Sequence, residues 1–156
     1  MKQKVCCIIG HRKIEEPAKV KENIQRAIEA LINAGVDTFI FGDHSQFNTL
    51  CHEIVTQARL TYPHIRRVYY RKDYPEIGAE TERFFLNGYE ESVYPKNIEL
   101  AGRAVYIARN KAMIRDSDYC LFYYKENLAP EKSGTKIACL FAKRERKQII
   151  NVYEKG

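Results

Sequence analysis

Three short stretches carry side chains that suit anion recognition. Gly10-His11-Arg12 follows directly on the apolar run Val5–Ile9. A glycine at that point lets another group approach the backbone closely, Arg12 offers a planar fork of donors suited to phosphate or carboxylate, and His11 can donate or accept a hydrogen bond. Lys132-Ser133-Gly134-Thr135-Lys136 opens a helical pattern late in the chain. Ser133 has the chemistry of an N-cap, Gly134 removes a side chain that would block a phosphate, and Thr135 adds a hydroxyl. The free N–H groups of a helix N-terminus complete an anion site. The third stretch is Gly42-Asp43-His44-Ser45-Gln46-Phe47-Asn48. Its Asp, His and Ser are ordinary turn and capping residues, with Ser45 or Asn48 placed to cap the next helix. That use explains them better than a metal or acid–base pair built with His11. Arg109 and Asn110 are a fourth polar pair, on an otherwise alanine-rich helix, with nothing local to say which way they face.

None of these is a strong motif alone. The Walker A pattern G-x-x-x-x-G-K-[ST] and the dinucleotide pattern G-x-G-x-x-G are both missing. His52 reads as a structural histidine within a helix, and His64, after a Tyr-Pro turn, as exposed.

The elements that must position these residues follow from periodicity. Val5–Ile9, Val36–Phe41, Val68–Arg71, Tyr119–Tyr124 and Gln148–Val152 read as strands. The first helix opens at Pro17, repeats Val20, Ile24, Ala27, Ile28, Leu31 and Ile32 at helical spacing, and stops at Gly35. Phe47, Leu50, Ile54 and Ala58 mark the second, which Tyr62-Pro63 closes. Residues Lys72 to Pro95 predict a long loop with a helical turn around Thr81–Leu86. A third helix spans about Leu100 to Arg115, with Ala101, Ala104, Val105, Ala108 and Ala112 as its inner face. After a polar loop containing Pro130, the last helix turns Ile137, Leu140 and Phe141 inward.

Alternating strands and helices predict an α/β fold over residues 1–156 as a single domain. It is a Rossmann-like three-layer sandwich with a mainly parallel five-stranded sheet in the order 3-2-1-4-5. In such a sheet, ligands bind beyond the carboxyl ends of strands, where the strand order reverses. The first and fourth strands are neighbours there, so Gly10, His11 and Arg12 should face Ser133, Gly134 and Thr135 across one crevice. Gly42 and Asp43 flank it.

The totals limit the classes. The chain has 156 residues, 45% of them apolar, and a formal net charge of +6. That excess is mild, and the largest basic cluster, Lys143, Arg144, Arg146 and Lys147, reads as an exposed helix end where cations suit the macrodipole. Five cysteines, an odd number with no C-x-x-C pair, argue against a disulfide framework or zinc knuckle and for buried thiols in a reducing compartment. The first apolar run is too short for a signal peptide and no run suits a membrane span, which predicts a cytoplasmic protein with no membrane partner. Eleven tyrosines leave room for a homo-oligomer interface.

Taken in order, a first strand ending in Gly-His-Arg, then NAGVDTFIFG, YPHIRRVYY, RNKAMIRDSDYCLFYY and SGTKIACLFAKRERKQIINVY resemble the SLOG superfamily over nearly the whole chain. The nearest branch is the small bacterial YpsA/YoqJ-like proteins. That superfamily is similar to the DNA-processing protein DprA and to the LOG phosphoribohydrolases. The resemblance implies a Rossmann-like fold that binds a nucleotide or nucleotide-derived ligand in the crevice. It carries the first-strand motif onto Gly10, His11 and Arg12, the phosphate loop onto Gly134 and Thr135 with Ser133 where glycine is usual, and the Arg-Asn pair onto Arg109 and Asn110. Two departures stand out. The turn after the second strand is bulkier than the glycine-rich turn of many relatives, and Asn48 stands for their Asp. Lys136, Ile137 and Ala138 follow Thr135, where a LOG-type hydrolase needs carboxylates to stabilise charge developing on the sugar.

The leading expectation is therefore a binding or sensing protein for a nucleotide or nucleotide-sugar-like molecule, needing no cofactor and no metal, rather than an enzyme. The alternatives are a hydrolase of N-glycosidic or phosphate bonds using Asp43 or His44, and a DprA-like nucleic-acid-associated protein, which is less favoured.

Overall fold

The computed structural model describes residues 3–73, 75–125 and 134–153. Among these residues a single sheet of six strands, all parallel, runs β4-β3-β2-β1-β5-β6. Its members are β1 (Val5–Gly10), β2 (Thr38–Phe41), β3 (Arg66–Tyr70), β4 (Glu91–Val93), β5 (Tyr119–Tyr123) and β6 (Gln148–Asn151). The helices are α1 (Pro17–Asn33), α2 (Gln46–Thr61), α3 (Ala79–Leu86), α4 (Val105–Arg115) and α5 (Gly134–Arg144). The expected order 3-2-1-4-5 is present as β3-β2-β1-β5-β6, and β4 adds a sixth strand at the β3 edge.

The central strands are apolar almost throughout because both faces of the sheet are covered. Along β1 successive side chains alternate between two cores. Cys6 and Ile8 join Ile24, Ile28, Leu31, Phe39, Phe41, Phe47 and Val55 under α1 and α2. Cys7 and Ile9 join Ile40, Val68, Phe122, Met113, Ile114, Ala138 and Ala142 under α4 and α5. All five cysteines are free and buried.

Helix α1 ends in a Schellman arrangement. The Val36 amide donates to the Leu31 carbonyl and the Gly35 amide to that of Ile32, with Gly35 at φ 102°. Both bonds need the left-handed backbone that glycine adopts without cost.

Three local expectations are corrected. The segment expected as a long loop with a helical turn around Thr81–Leu86 carries that turn as α3, and what was not expected in it is the short strand β4. Backbone pairing to β3 and the ion pairs Arg66–Glu91 (2.9 Å) and Arg67–Glu90 (2.8 Å) hold β4, and neither leaves a hydropathy pattern. The helix expected over Leu100–Arg115 is a 3-10 helix over Ile98–Ala104 followed by α4, broken at Gly102 with φ 59° and ψ −123°. Its inner face is Arg109, Asn110, Met113 and Ile114, whereas Ala101 and Ala104 are exposed. In α5 the buried residues are Thr135, Ala138, Cys139 and Ala142, and Leu140 is 55% exposed. Small side chains let α5 lie close on the sheet, and the larger Ile137 and Phe141 fall to its flanks.

Among the described residues, no helix is long and apolar enough to cross a membrane.

Candidate functional site

Because every strand is parallel, the tips of β1, β2, β3 and β5 all point to one end of the molecule. There they form a cleft of about 720 Å³. The loop after β1 supplies Gly10, His11 and Arg12, and the loop after β2 supplies Asp43, His44 and Ser45. Lys72 comes from just beyond β3, Tyr106, Arg109 and Asn110 from α4, and Gly134 and Thr135 from the first turn of α5. The sequence-predicted residues thus meet in one place, except that Gly42 lies beneath the floor and Ser133 lies outside the described residues. Lys72 and Tyr106 were not foreseen. The rule that singled out the other strand tips would also have found Lys72; Tyr106 needs the helix packing to be known.

Two glycines have other uses than the expected one. A Cβ on Gly10 would sit 2.3 Å from Cδ2 of Phe47. The space beside the β1 tip is therefore filled by the Phe47 ring, not left for a ligand. A Cβ on Gly42 would meet Met113 Sδ at 2.5 Å and Arg109 Nε at 3.0 Å, so this glycine lets α4 rest on the end of β2. Gly134 does bear on the cleft. A Cβ there would lie 3.1 Å from the Tyr106 ring, which closes over the start of α5 and is 39% exposed.

His11 is a latch. Its Nε2 accepts from the Lys125 amide at 3.0 Å, which places its own proton on Nδ1, and its backbone amide donates to the Tyr123 carbonyl. Burial lowers its pKa from the ordinary histidine value, and the neutral ring is the form whose Nε2 can accept the Lys125 amide. Arg12 is exposed, and no ion pair engages its guanidinium among the described residues. The backbone beneath is anchored, since the Arg12 carbonyl accepts from the Gln46 amide at 2.9 Å.

Arg109 is the most deeply buried of the cleft's cations. Its side chain is 3% exposed. It donates to the Gly42 carbonyl through Nη1 and to Asn110 Oδ1 through Nε (3.2 Å) and Nη2 (3.1 Å). The nearest carboxylate, Asp43, is 4.0 Å away. Burial lowers the Arg109 pKa and Asp43 raises it. Asp43 Oδ1 accepts the Ser45 amide at 2.8 Å, and Ser45 Oγ accepts the Asn48 amide, so the loop after β2 is an Asx turn leading into a capped helix. His44 stacks on Tyr69 with ring centroids 5.6 Å apart. Asp43 and His44 are thus already engaged with turn and ring partners.

Arg12, Lys72 and Arg109 outweigh Asp43, the single carboxylate among the described lining residues. Lys72 also touches Asp73 at 2.8 Å. A partly desolvated cleft with excess cation and a helix N-terminus at one side attracts anions. Among the described residues, no three His, Cys, Asp or Glu side chains gather closely enough to hold a metal ion. His52 donates from Nε2 to the Gly88 carbonyl at 2.7 Å and serves the fold. A second groove of about 810 Å³ runs between α1 and α2, lined by Ile28, Ile32, Ile54 and Ala58 with scattered charges. Its described lining comes from within α1 and α2 and from Tyr62.

The chain matches no protein-family model and no curated protein.

Proposed function

We propose that this protein binds a phosphate-bearing nucleotide, or a nucleotide-derived small molecule, in the cleft at the strand tips, and that it senses or carries the ligand rather than transforming it. The observation that carries the reading is the convergence on one cleft of Arg12, the buried Arg109 and the first turn of α5. The phosphate would sit between the Arg12 guanidinium and the backbone of Gly134 and Thr135, where a helix start and a side-chain fork reinforce each other. Asn110 and Asp43 are placed to meet sugar or base polar groups. The exposed face of Tyr106 offers a stacking surface for a base. Arg109 is a buried cation whose nearest carboxylate is 4.0 Å away, so its charge is left partly uncompensated toward the cleft. The resemblance of the sequence to the SLOG superfamily supports the same ligand class.

Binding is favoured over hydrolysis by the carboxylates. The pairs used in glycoside hydrolysis need two acidic groups across the scissile bond. Asp43 is the one described carboxylate in the cleft, and it is committed to the Ser45 amide.

Thermal-shift and calorimetric titration against nucleoside mono- and diphosphates, with the parent nucleosides as controls, tests the proposal. A phosphorylated member should raise the melting temperature, Arg12→Ala should remove the shift, and Lys147→Ala should keep it. If no nucleotide binds, or if Arg12→Ala binds as well as the parent protein, the reading fails. Release of base or phosphate during the titration would replace it with the hydrolase.

A further inference from the structure

Six cations lie along the C-terminal halves of α4 and α5 and the turn that follows, five of them at the end of the molecule opposite the cleft. Lys111 and Arg115 stand on the last turn and a half of α4, Lys143 and Arg144 on the last turn of α5, and Arg146 and Lys147 on the link into β6. Three contacts tie the two groups together. Lys111 Nζ and Arg115 Cζ lie 5.3 and 5.4 Å from the Phe141 ring centroid, one from each side chain, and Lys147 Nζ donates to the Arg115 carbonyl at 3.3 Å. None of the six pairs with a carboxylate among the described residues, whereas Arg26, Arg59, Arg66, Arg67, Lys72 and Lys125 all do. Among the described residues, the acidic groups next to these in the chain are Asp116, Asp118 and Glu145. Asp116 accepts the Tyr70 hydroxyl at 2.6 Å and Asp118 the Val5 amide at 3.0 Å. Helix-dipole stabilisation accounts for one or two cations in the last turn of a helix. It does not account for six spread over two adjacent helix ends and the following turn.

We propose that this end of the molecule is a docking surface for the phosphate backbone of a nucleic acid. Neighbouring helices lie about 8–10 Å apart, and each strand of a duplex presents a phosphate about every 3.4 Å of helix axis, so the two helix ends match more than one phosphate rather than one small anion. Cation–π contacts with Phe141 hold Lys111 and Arg115 in place before binding, which lowers the ordering cost. Lys111 adjoins Asn110 of the cleft wall, but the other five cations stand at or beyond the far ends of α4 and α5, each helix being about 16 Å long. The inference therefore stands or falls independently of the nucleotide reading.

Fluorescence anisotropy with a labelled DNA duplex of about 20 base pairs, titrated between about 50 and 200 mM salt, tests it. Binding should weaken steeply with salt, and the slope of log affinity against log salt should have a magnitude of about 4–5 for five or so phosphate contacts. R144Q/K147Q, and independently K143Q/R144Q, should lower that slope by about 2 each. K21Q/R26Q removes the same charge from α1 and should leave the slope unchanged, and Arg12→Ala should bind duplex normally. No duplex binding at the lowest salt overturns the proposal. Equal weakening by the α1 and α5 variants reduces it to overall charge and also overturns it. Binding to anionic phosphatidylserine vesicles without binding to duplex assigns the surface to a membrane instead.

Discussion

Gly10 has no side chain because the Phe47 ring occupies the place where one would project. Gly10→Ala should therefore destabilise the fold by about 1–3 kcal/mol, since the overlap is with a ring fixed in the core and not with a flexible chain end. Urea unfolding measures this, and a change under half a kcal/mol would mean that α2 shifts freely. The two half-buried histidines make a second residue-scale prediction. Burial holds both His11 and His52 below their unfolded pKa of about 6.5. As pH falls through that value the unfolded chain takes up protons that the folded chain does not, so stability is complete above it and declines below it. A His11→Gln, His52→Gln double variant keeps an acceptor for the Lys125 amide and a donor for the Gly88 carbonyl. Its melting temperature should fall less than that of the parent between about pH 7 and 5. Equal falls would assign the loss to carboxylates. His11 was legible from the sequence as a hydrogen-bonding residue at a strand tip. Its role as a neutral latch on Lys125 was not, because a residue 114 positions away makes the bond.

At the scale of elements, α4 is where periodicity misleads. Its alanines suggest an inner face, yet the side turned to the sheet holds Met113, Ile114 and the polar pair Arg109 and Asn110. Hydropathy scores the pair as outward-facing, and only the cleft wall explains why they are inside. Met113→Ala should cost about 2–5 kcal/mol, as for other buried large-to-small changes. Ala101→Gln, at an exposed position, should stay within about 0.5 kcal/mol. The reverse ranking in denaturant titrations would restore the alanine face as the inner one. Strand β4 escapes detection for a related reason. Three residues carry too little pattern, and its place rests on the β3 ladder and on carboxylates that meet Arg66 and Arg67.

For the whole molecule, the parallel arrangement gathers every strand tip at one end, while the C-termini of α4 and α5 fall at the other. A nucleotide held in the cleft stabilises the folded state by mass action. At a concentration a hundredfold above its dissociation constant the gain is about 2.7 kcal/mol. For a chain of this size that corresponds to a rise in melting temperature of about 5–10 °C. A tight calorimetric Kd without such a rise would mean that the ligand binds the unfolded chain as well.

The sequence alone was enough to define five of the six described strands, the first, second and last helices, and the meeting of the first strand tip with the start of the last helix. These follow from local periodicity, from glycine and proline punctuation and from the right-handed crossover. Tertiary structure alone decided that Arg109 and Asn110 lie inside, that Phe47 fills the space beside Gly10, and that Tyr106 and Lys72 complete the cleft wall. Each depends on contacts between residues distant in the chain, and side-chain direction at such contacts is set by packing, which a local pattern does not encode.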